Sequence, residues 1–220
     1  MTVELLTLGD MRAGFGREVG EKDPSNSRWD NDDRDAWINE GQLDFVRRTR
    51  ILEAKWTSVV TAYSSDGDEV IAISSNCFSD GIIKIYWLDS DDVYHPLSEY
   101  HPFERTIDNS ETGTPSEFFR IGDRLHLKPK PDADGTVVIV GHRKPDELVA
   151  FTDQSLIPAN YRHGPVLYAV RKAHREDDEY TKYALVDAEY RELVAEAKRV
   201  ASRRRSIRQP KMKLPRILRA

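Results

Sequence analysis

Few side chains in this sequence have the types and spacing that chemistry requires. No serine stands in a GxSxG turn, and the single cysteine, Cys77, has no second cysteine for a disulfide or a zinc site. None of the six histidines belongs to an HxxxH or HExxH pair, the helical spacing typical of metal ligands. They are His95, His101, His126, His142, His163 and His174. We therefore expect no enzymatic activity, no cofactor and no metal.

Glycines and acidic clusters offer weaker alternatives. GFGREVG at 14–20 lacks the spacing and the preceding strand of a dinucleotide-binding loop. DNDDRD at 30–35, DSDD at 89–92 and DADG at 132–135 lack the ligand order and final glutamate of a calcium loop. Carboxylates favour the first turn of a helix, so 30–35 predicts a helix start. The other two clusters predict hairpin turns.

A basic C-terminal segment is the strongest physical signal. Residues 198–220 hold ten of the 33 lysines and arginines and no acid, which leaves 23 basic and 38 acidic residues in 1–197, a net charge of −15. Hydrophobic residues and prolines are interleaved with these charges. The candidate binding residues are Arg203, Arg204, Arg205, Arg208, Lys211, Lys213, Leu214, Arg216, Ile217 and Leu218.

Three interpretations of this segment are open. It could dock as an extended chain into an acidic groove of a protein partner and become ordered on binding. It could neutralise phosphates of nucleic acid. It could also remain solvated, with no binding role. The leucines, isoleucine and prolines favour protein docking over a simple polyelectrolyte.

The remaining elements alternate between helical and strand patterns. A short helix at best is expected over 2–14, followed by a mobile linker near 14–28. Ile38, Phe45 and Leu52 recur every seven residues and predict a helix over about 30–52, with Gly41 as a weak point. Apolar spacing predicts two more helices at about 160–175 and 179–203, and the rest is an extended tail.

The middle of the chain has the pattern of a sheet. Short alternating runs rich in β-branched and aromatic residues predict five or six strands over about 55–143, separated by turns such as CFSDG, IGD and DADG. In RLHLKP, Leu125 and Leu127 should share one face. HPLSEYHPFERTIDNSETGTP at 95–115 contains three prolines and predicts mostly loop.

The predicted fold class is α+β. One N-terminal and two C-terminal helices form a helical bundle, with a central β-rich insertion and an extended basic C-terminal tail. The expected domains are 1–54, 55–150, 151–203 and 204–220. No stretch of 18 apolar residues and no secretory signal is present, and mean hydropathy is −0.64, so we expect a protein that does not span a membrane. Because its one cysteine cannot form an intramolecular disulfide, we expect the protein to be intracellular, or to act in a place where disulfides are not needed.

The order of these signals resembles the head-to-tail adaptor (connector) proteins of tailed bacteriophages. The resemblance covers about 29–203. It begins with WDNDDRDAWINEGQLDFVRRTRILEA and its core Ile38, Asn39, Glu40, Gly41 and Gln42. It continues with Gly113, Thr114 and Pro115, then Leu127, Pro129, Pro131 and Asp132. It ends with LIPANYRHGPVLYAVRKAHREDDE, an Ile-Pro entry to the C-terminal helices.

The resemblance implies a non-enzymatic structural role in the virion neck, after assembly in the host cytoplasm. Such adaptors form a ring, commonly of twelve copies, beneath the portal. The implied partners are the portal protein, further copies of the chain and a downstream tail or nozzle protein. Genomic DNA would pass through the channel without specific binding, and the C-terminal tail would dock into the portal. The alternatives are another neck or tail-completion protein, or a nucleic-acid-binding protein that uses the basic segment.

Overall fold

The computed structural model describes residues 6–21, 28–61, 70–100 and 111–208, with residues 70 and 204–208 described by their backbone alone. The chain divides into two compact units. One contains the described parts of Met1–Ile51 and Pro145–Ala220, and the other those of Leu52–Lys144. The first is helical and the second is a sheet, so the chain is a mixed α and β protein.

Four α-helices form the described part of the helical unit. They are α1 (Leu8–Glu18), α2 (Asn31–Thr49), α3 (Gly164–Glu176) and α4 (Tyr180–Arg208), with a short 3₁₀ turn at Ala159–Tyr161 before α3. The three longer helices confirm the predicted helices. Asp30 caps α2 as expected, because its Oδ1 accepts the Asp33 N–H at 2.8 Å.

The first helix corrects a prediction. We expected a linker from residue 14, but α1 continues through Gly14 and Gly16 to Glu18. Met11 and Phe15 are fully buried, so tertiary packing outweighs the low helix propensity of glycine. A capping box also starts the helix, in which Thr7 Oγ1 accepts the Asp10 N–H at 3.1 Å and Asp10 Oδ2 accepts the Thr7 N–H at 3.0 Å.

The core of the helical unit joins α1, α2 and α3. Its buried residues are Leu8, Met11, Phe15, Trp37, Ile38, Leu148, Val166, Ala169, Val170 and Ala173. The segment just before α2 lies against the C-terminal end of α3, since Arg28 pairs with Asp177 at 2.7 Å, while Gly41 in the middle of α2 faces Pro165 at the start of α3. The helices α2 and α3 are therefore antiparallel. The short link after Glu176 makes α4 antiparallel to α3, so α2 and α4 run in the same direction.

The INEGQ motif has a structural use at every position. Ile38 is fully buried in the core. The Asn39 side chain makes two hydrogen bonds with the Leu148 backbone. Its Nδ2 donates to the Leu148 carbonyl and its Oδ1 accepts the Leu148 N–H, each at 2.9 Å. Gln42 is buried and its Oε1 accepts the Ser155 hydroxyl at 2.6 Å. The motif therefore attaches the segment after the sheet unit to α2.

Gly41 allows the closest approach of α2 to α3. A Cβ at this position would lie 2.8 Å from the Pro165 carbonyl oxygen and 2.9 Å from Tyr168 Cβ. We predicted Gly41 as a weak point in the helix, but α2 is continuous through it. The local cost of glycine is offset by packing that only a residue without a side chain permits.

The second unit contains seven described strands in one sheet. They are β1 (Glu53–Val60), β2 (Val70–Ala72), β3 (Cys77–Leu88), β4 (Tyr94–Glu99), β5 (Glu117–Ile121), β6 (Arg124–Lys128) and β7 (Gly135–Arg143). The order is β1-β7-β3-β4-β5-β6-β2, and all pairs are antiparallel except β4–β5. One core cluster, which includes Val60, Ile71, Ile85, Leu97, Phe118, Leu125 and Val137, has side chains from every strand, so the sheet curls around it.

Several turn predictions are confirmed and others are wrong. Leu125 and Leu127 are buried on one face of β6, and IGD forms the β5–β6 hairpin turn with Gly122 at φ 63°. CFSDG is not a turn but the start of β3, where the register with β7 shifts. DADG precedes β7, which does not pair with β6, so it is a crossover connection and not a hairpin turn. Residues 95–99, predicted as loop, belong to β4.

Replacing Gly41 with alanine should destabilise the protein by about 1–3 kcal/mol, because the new methyl group meets backbone atoms that cannot move aside easily. Gly14→Ala is the matched control. Its Cβ would lie 3.6 Å from Val166, an ordinary contact, so better helix propensity should make it neutral or stabilising by up to about 1 kcal/mol. Urea unfolding measures both, and equal stability of the two variants would contradict the close-packing argument.

Candidate functional site

The last helix carries the first part of the predicted binding segment. We predicted that α4 ends near 203 and that residues from 204 are extended, but α4 runs to Arg208. Arg203, Arg204, Arg205 and Arg208 are therefore helical. The arginines have good helix propensity and no proline occurs between residue 166 and residue 209, so nothing stops the helix earlier. The other predicted residues, Lys211, Lys213, Leu214, Arg216, Ile217 and Leu218, lie outside the described residues.

Aromatic and small residues hold α4 against the helical unit. Tyr190 is fully buried, and its hydroxyl donates to Asp44 Oδ2 at 2.7 Å. Its ring centroid lies 5.9 Å from that of Tyr168 on α3 and 6.3 Å from that of Phe45 on α2. Further along, Ala197 and Ala201 are also buried. The helix is therefore anchored almost to the point where the arginine run begins.

An ion pair between α3 and α4 reinforces this packing. Arg171 on α3 donates through Nη1 to Asp187 Oδ1 at 2.7 Å, and Asp187 also accepts from Arg191 at 2.6 Å. The Arg171 guanidinium lies 4.5 Å from the ring centroid of Tyr168 and 5.1 Å from that of Tyr190. Arginine suits this position because its planar group pairs with a carboxylate while stacking on aromatic faces.

A second polar cluster joins α2 to α3. Glu40 of the INEGQ motif accepts hydrogen bonds from the Tyr168 hydroxyl and from Lys172 Nζ. Burial alone would raise the pKa of Glu40, but the hydrogen bonds from Lys172 and Tyr168 bring it below its ordinary value. Burial, together with the hydrogen bond to Glu40, raises the pKa of Tyr168 to about 12. Burial, together with the hydrogen bond to Asp44, also raises the pKa of Tyr190.

The sequence did not predict the contacts among these groups, although Glu40 belongs to the INEGQ motif. The Glu40, Asp44, Arg171 and Asp187 side chains sit on three different helices, so no local spacing connects them. Their chemistry is structural: each carboxylate is engaged by a cation or a phenol from another helix. The cluster holds α4 against α2 and α3.

The ends of the helical unit carry opposite charge. At one end, the start of α2 and the α3–α4 turn expose Asp30, Asp32, Asp33, Glu176 and Asp178, which we call the acidic end. At the opposite end, the last turn of α2 and the second half of α4 expose Arg47, Arg48, Lys198 and Arg199, which we call the basic end. Residues 203–208 of α4 continue past the basic end, because α2 and α4 run in the same direction.

The histidines and acidic clusters have structural partners. His95 Nε2 lies 2.7 Å from Asp89 Oδ2, and His174 Nδ1 lies 2.8 Å from Glu179 Oε2. His126 stacks on Phe119, His142 is buried and His163 lies 3.8 Å from Glu18; His101 is outside the described residues. Asp89 Oδ1 accepts the Asp91 and Val93 N–H groups, which confirms the predicted β3–β4 turn. Within the described ranges, no group of three or more histidine, cysteine, aspartate or glutamate side chains could hold a metal.

The sheet unit contains an open cleft. It forms where β4 leaves β3 after the Ile85–Leu97 pair and continues beside β5. The lining includes Asp80, Ile82, Leu97, Glu99, Phe118 and Arg120. The Arg120 guanidinium donates to the Ser79 and Gly122 carbonyl oxygens, so backbone groups of the sheet itself engage it. Cys77, the single cysteine, is buried.

Comparison with protein families gives the class of the chain. The model of the SU10 adaptor protein family matches residues 6–211. The match spans both structural units and α4, so this is a phage adaptor-type protein. The chain belongs to the SU10 adaptor protein family. No curated protein matches the sequence.

The family assignment supports the prediction that this is a structural protein of a bacteriophage. Adaptors of this kind are generally structural and non-enzymatic, and the family name indicates a virion component. Across the described part of the chain, no helix has the length and hydrophobicity needed to cross a membrane. The resemblance seen in the INEGQ motif and its neighbours is therefore confirmed at the level of a phage adaptor.

Stability should fall in acid partly through Glu40. A carboxylate whose pKa is lowered in the folded state stabilises the fold above its unfolded pKa of about 4.5 and loses that contribution as pH falls through the folded value. Glu40→Gln should therefore be less stable at pH 7 and lose less stability on acidification. The effect should stay below about 1 kcal/mol, because 45% of the side chain is exposed.

The measurement is urea unfolding of both proteins at about pH 7 and about pH 3.5. Glu192→Gln, which changes an exposed glutamate on α4, serves as the control. A stability difference between Glu40→Gln and the parent that is the same at both pH values would contradict the proposed role of the Glu40–Lys172–Tyr168 cluster.

Proposed function

We propose that this chain is a head-to-tail adaptor that forms a ring beneath the portal and joins it to the tail. Its helices pack side by side around the ring as a bundle, and its C-terminal segment docks into the portal. The observation that carries the proposal is the combination of an adaptor family match over 6–211 with a single helix that leads from an acidic body into a basic segment.

The charge distribution supports docking to a protein. Residues 198–220 contain ten basic residues and no acid, while 1–197 has a net charge of −15. Leu214, Ile217 and Leu218 are interleaved with lysine and arginine. A segment of this kind fits an acidic groove with apolar pockets, where charges steer association and the hydrophobic side chains supply affinity.

Ring assembly explains how modest contacts could make a stable joint. Each copy contributes one C-terminal segment, and a ring, which we expect to hold twelve copies, presents all of them at once to the portal. Binding of the first segments raises the effective concentration of the others. The β-sheet unit would then be available to meet the next tail or nozzle protein, and the acidic body would line a channel through which DNA passes without being held.

The proposal predicts a second ring stacked on the portal encoded in the same genome. Electron microscopy of the purified full chain mixed with that portal should show it, and the same protein ending at residue 208 should not bind. The deletion begins after 208 because Ala201 is buried and α4 continues to Arg208. The helix α4 should therefore stay folded in both proteins.

The other outcomes separate the rival functions. Ring formation by both proteins would keep the adaptor function and contradict docking by residues 209–220. Absence of portal binding, together with DNA binding that falls steeply with salt, would replace the adaptor function with a nucleic-acid-binding one.

Charge and apolar contacts in the segment should contribute differently. Reversing Arg203, Arg204 and Arg205 to glutamate should weaken portal binding about tenfold or more at low salt and less at high salt, since salt screens exposed charges. Replacing Leu214, Ile217 and Leu218 with serine should weaken binding at both salt concentrations.

The matched control for the charge reversal is Arg203→Lys, Arg204→Lys and Arg205→Lys, which keeps the charge on α4. Affinity is measured by surface-immobilised portal at two salt concentrations, with circular dichroism to show that the helices are retained. Binding by the glutamate variant that equals the parent at low salt would rule out a role for these arginines.

A further inference from the structure

We infer that the basic end of the helical unit is a preformed docking surface for an acidic protein surface, presented by the same partner that receives the C-terminal segment. The basic end consists of Arg47 and Arg48 on α2 and Lys198 and Arg199 on α4. The inference rests on the proposed portal-docking function and adds a folded surface to the contact that the C-terminal segment would make.

The geometry brings these residues to one end from two helices. Tyr190 of α4 contacts Asp44 and Phe45 of α2, which fixes the two helices side by side. Arg47 and Arg48 lie three and four residues beyond Asp44, toward the C-terminus of α2. Lys198 and Arg199 lie eight and nine residues beyond Tyr190 in the same direction. At 1.5 Å per residue, they extend about 12–14 Å past the tyrosine.

Most of this charge has no partner within the protein. Arg48 pairs with Asp44 at 2.8 Å. By contrast, Arg47, Lys198 and Arg199 are exposed and make no ion pair, hydrogen bond or cation–π contact with the described residues. The helix α4 continues to Arg208, and residues 204, 205 and 208 are also arginines, with 204 and 208 about one helical turn apart. Like charges at i and i+4 destabilise an isolated helix, so the sequence accepts a cost that an anionic partner would remove.

Helix capping does not account for Lys198 and Arg199. Basic residues in the last turn of a helix interact with the negative end of its dipole, and this effect is confined to about one turn. Lys198 and Arg199 lie ten and nine residues before the last residue of α4. Their charge is therefore available for contact with another molecule.

A protein surface fits the basic end better than nucleic acid. Glu189, Glu192 and Glu196 are exposed on the preceding turns of α4, so positive and negative charges stand next to each other. A nucleic-acid backbone is uniformly negative and would be repelled by these glutamates. A protein surface that is mostly acidic but carries some basic groups can match both signs and gain specificity from the register.

Continuity with the C-terminal segment identifies the partner. The α4 helix leaves the basic end and leads to residues 209–220, which carry four more basic residues. A partner that holds that segment lies close to the basic end, because Arg208 is ten residues, about 15 Å, beyond Lys198 on the same helix. The two contacts would then act together, with the folded surface setting orientation and the segment adding affinity through its high local concentration.

The test is a charge reversal at the basic end in the full chain. Arg47→Glu, Lys198→Glu and Arg199→Glu together should weaken binding to the portal ring encoded in the same genome by about tenfold or more at low salt, with a smaller loss at high salt. The matched control is Arg17→Glu, Lys84→Glu and Arg124→Glu, which makes the same change in net charge at three other exposed basic residues. It should bind like the parent.

The possible outcomes distinguish the portal, nucleic acid and another copy of the chain as partners of the basic end. If the parent binds the portal and both triple variants bind equally well, the basic end is not a docking surface, while the proposed function stands. If the parent itself does not bind the portal, the result contradicts the proposed portal-docking function. If the basic-end variant loses affinity for duplex DNA but not for the portal, the partner is nucleic acid. If it loses only self-association, measured by analytical ultracentrifugation, the partner is the acidic end of another copy.

Discussion

The close contact between α2 and α3 at Gly41 is the constraint on which the helical unit depends. With no side chain at Gly41, the α3 backbone at Pro165 comes near enough for Tyr168 and Lys172 to reach Glu40 one residue away. Tyr168 also packs against Tyr190, whose hydroxyl bonds to Asp44 and so fixes α4. A methyl group at one position would therefore disturb three helices, because close-packed interiors transmit small displacements.

Tertiary packing anchors α4 up to Ala201, and the helix continues beyond that residue. A helix of 29 residues is longer than the unit needs for its own core, and its described buried contacts stop at Ala201. Beyond Ala201 the helix continues to Arg208 through a run of arginines.

The two units are built around separate hydrophobic cores. The sheet unit has its own core, to which all seven described strands contribute, and the helical unit has another. Asn39 and Gln42 attach the returning chain at Leu148 and Ser155 to α2 within the helical unit.

The sequence by itself determined the helical positions of α2, α3 and α4, the strand character of the middle, the cap at Asp30 and the basic C-terminal segment. These features depend on local periodicity, capping chemistry and charge, which a chain carries at every residue. Tertiary structure alone decided that α1 continues through Gly14 and Gly16 and that CFSDG and 95–99 join strands. It also decided the contacts of Glu40 and Asp44 and the grouping of Arg47 with Lys198, since these join residues more than 100 positions apart, where no local pattern is informative.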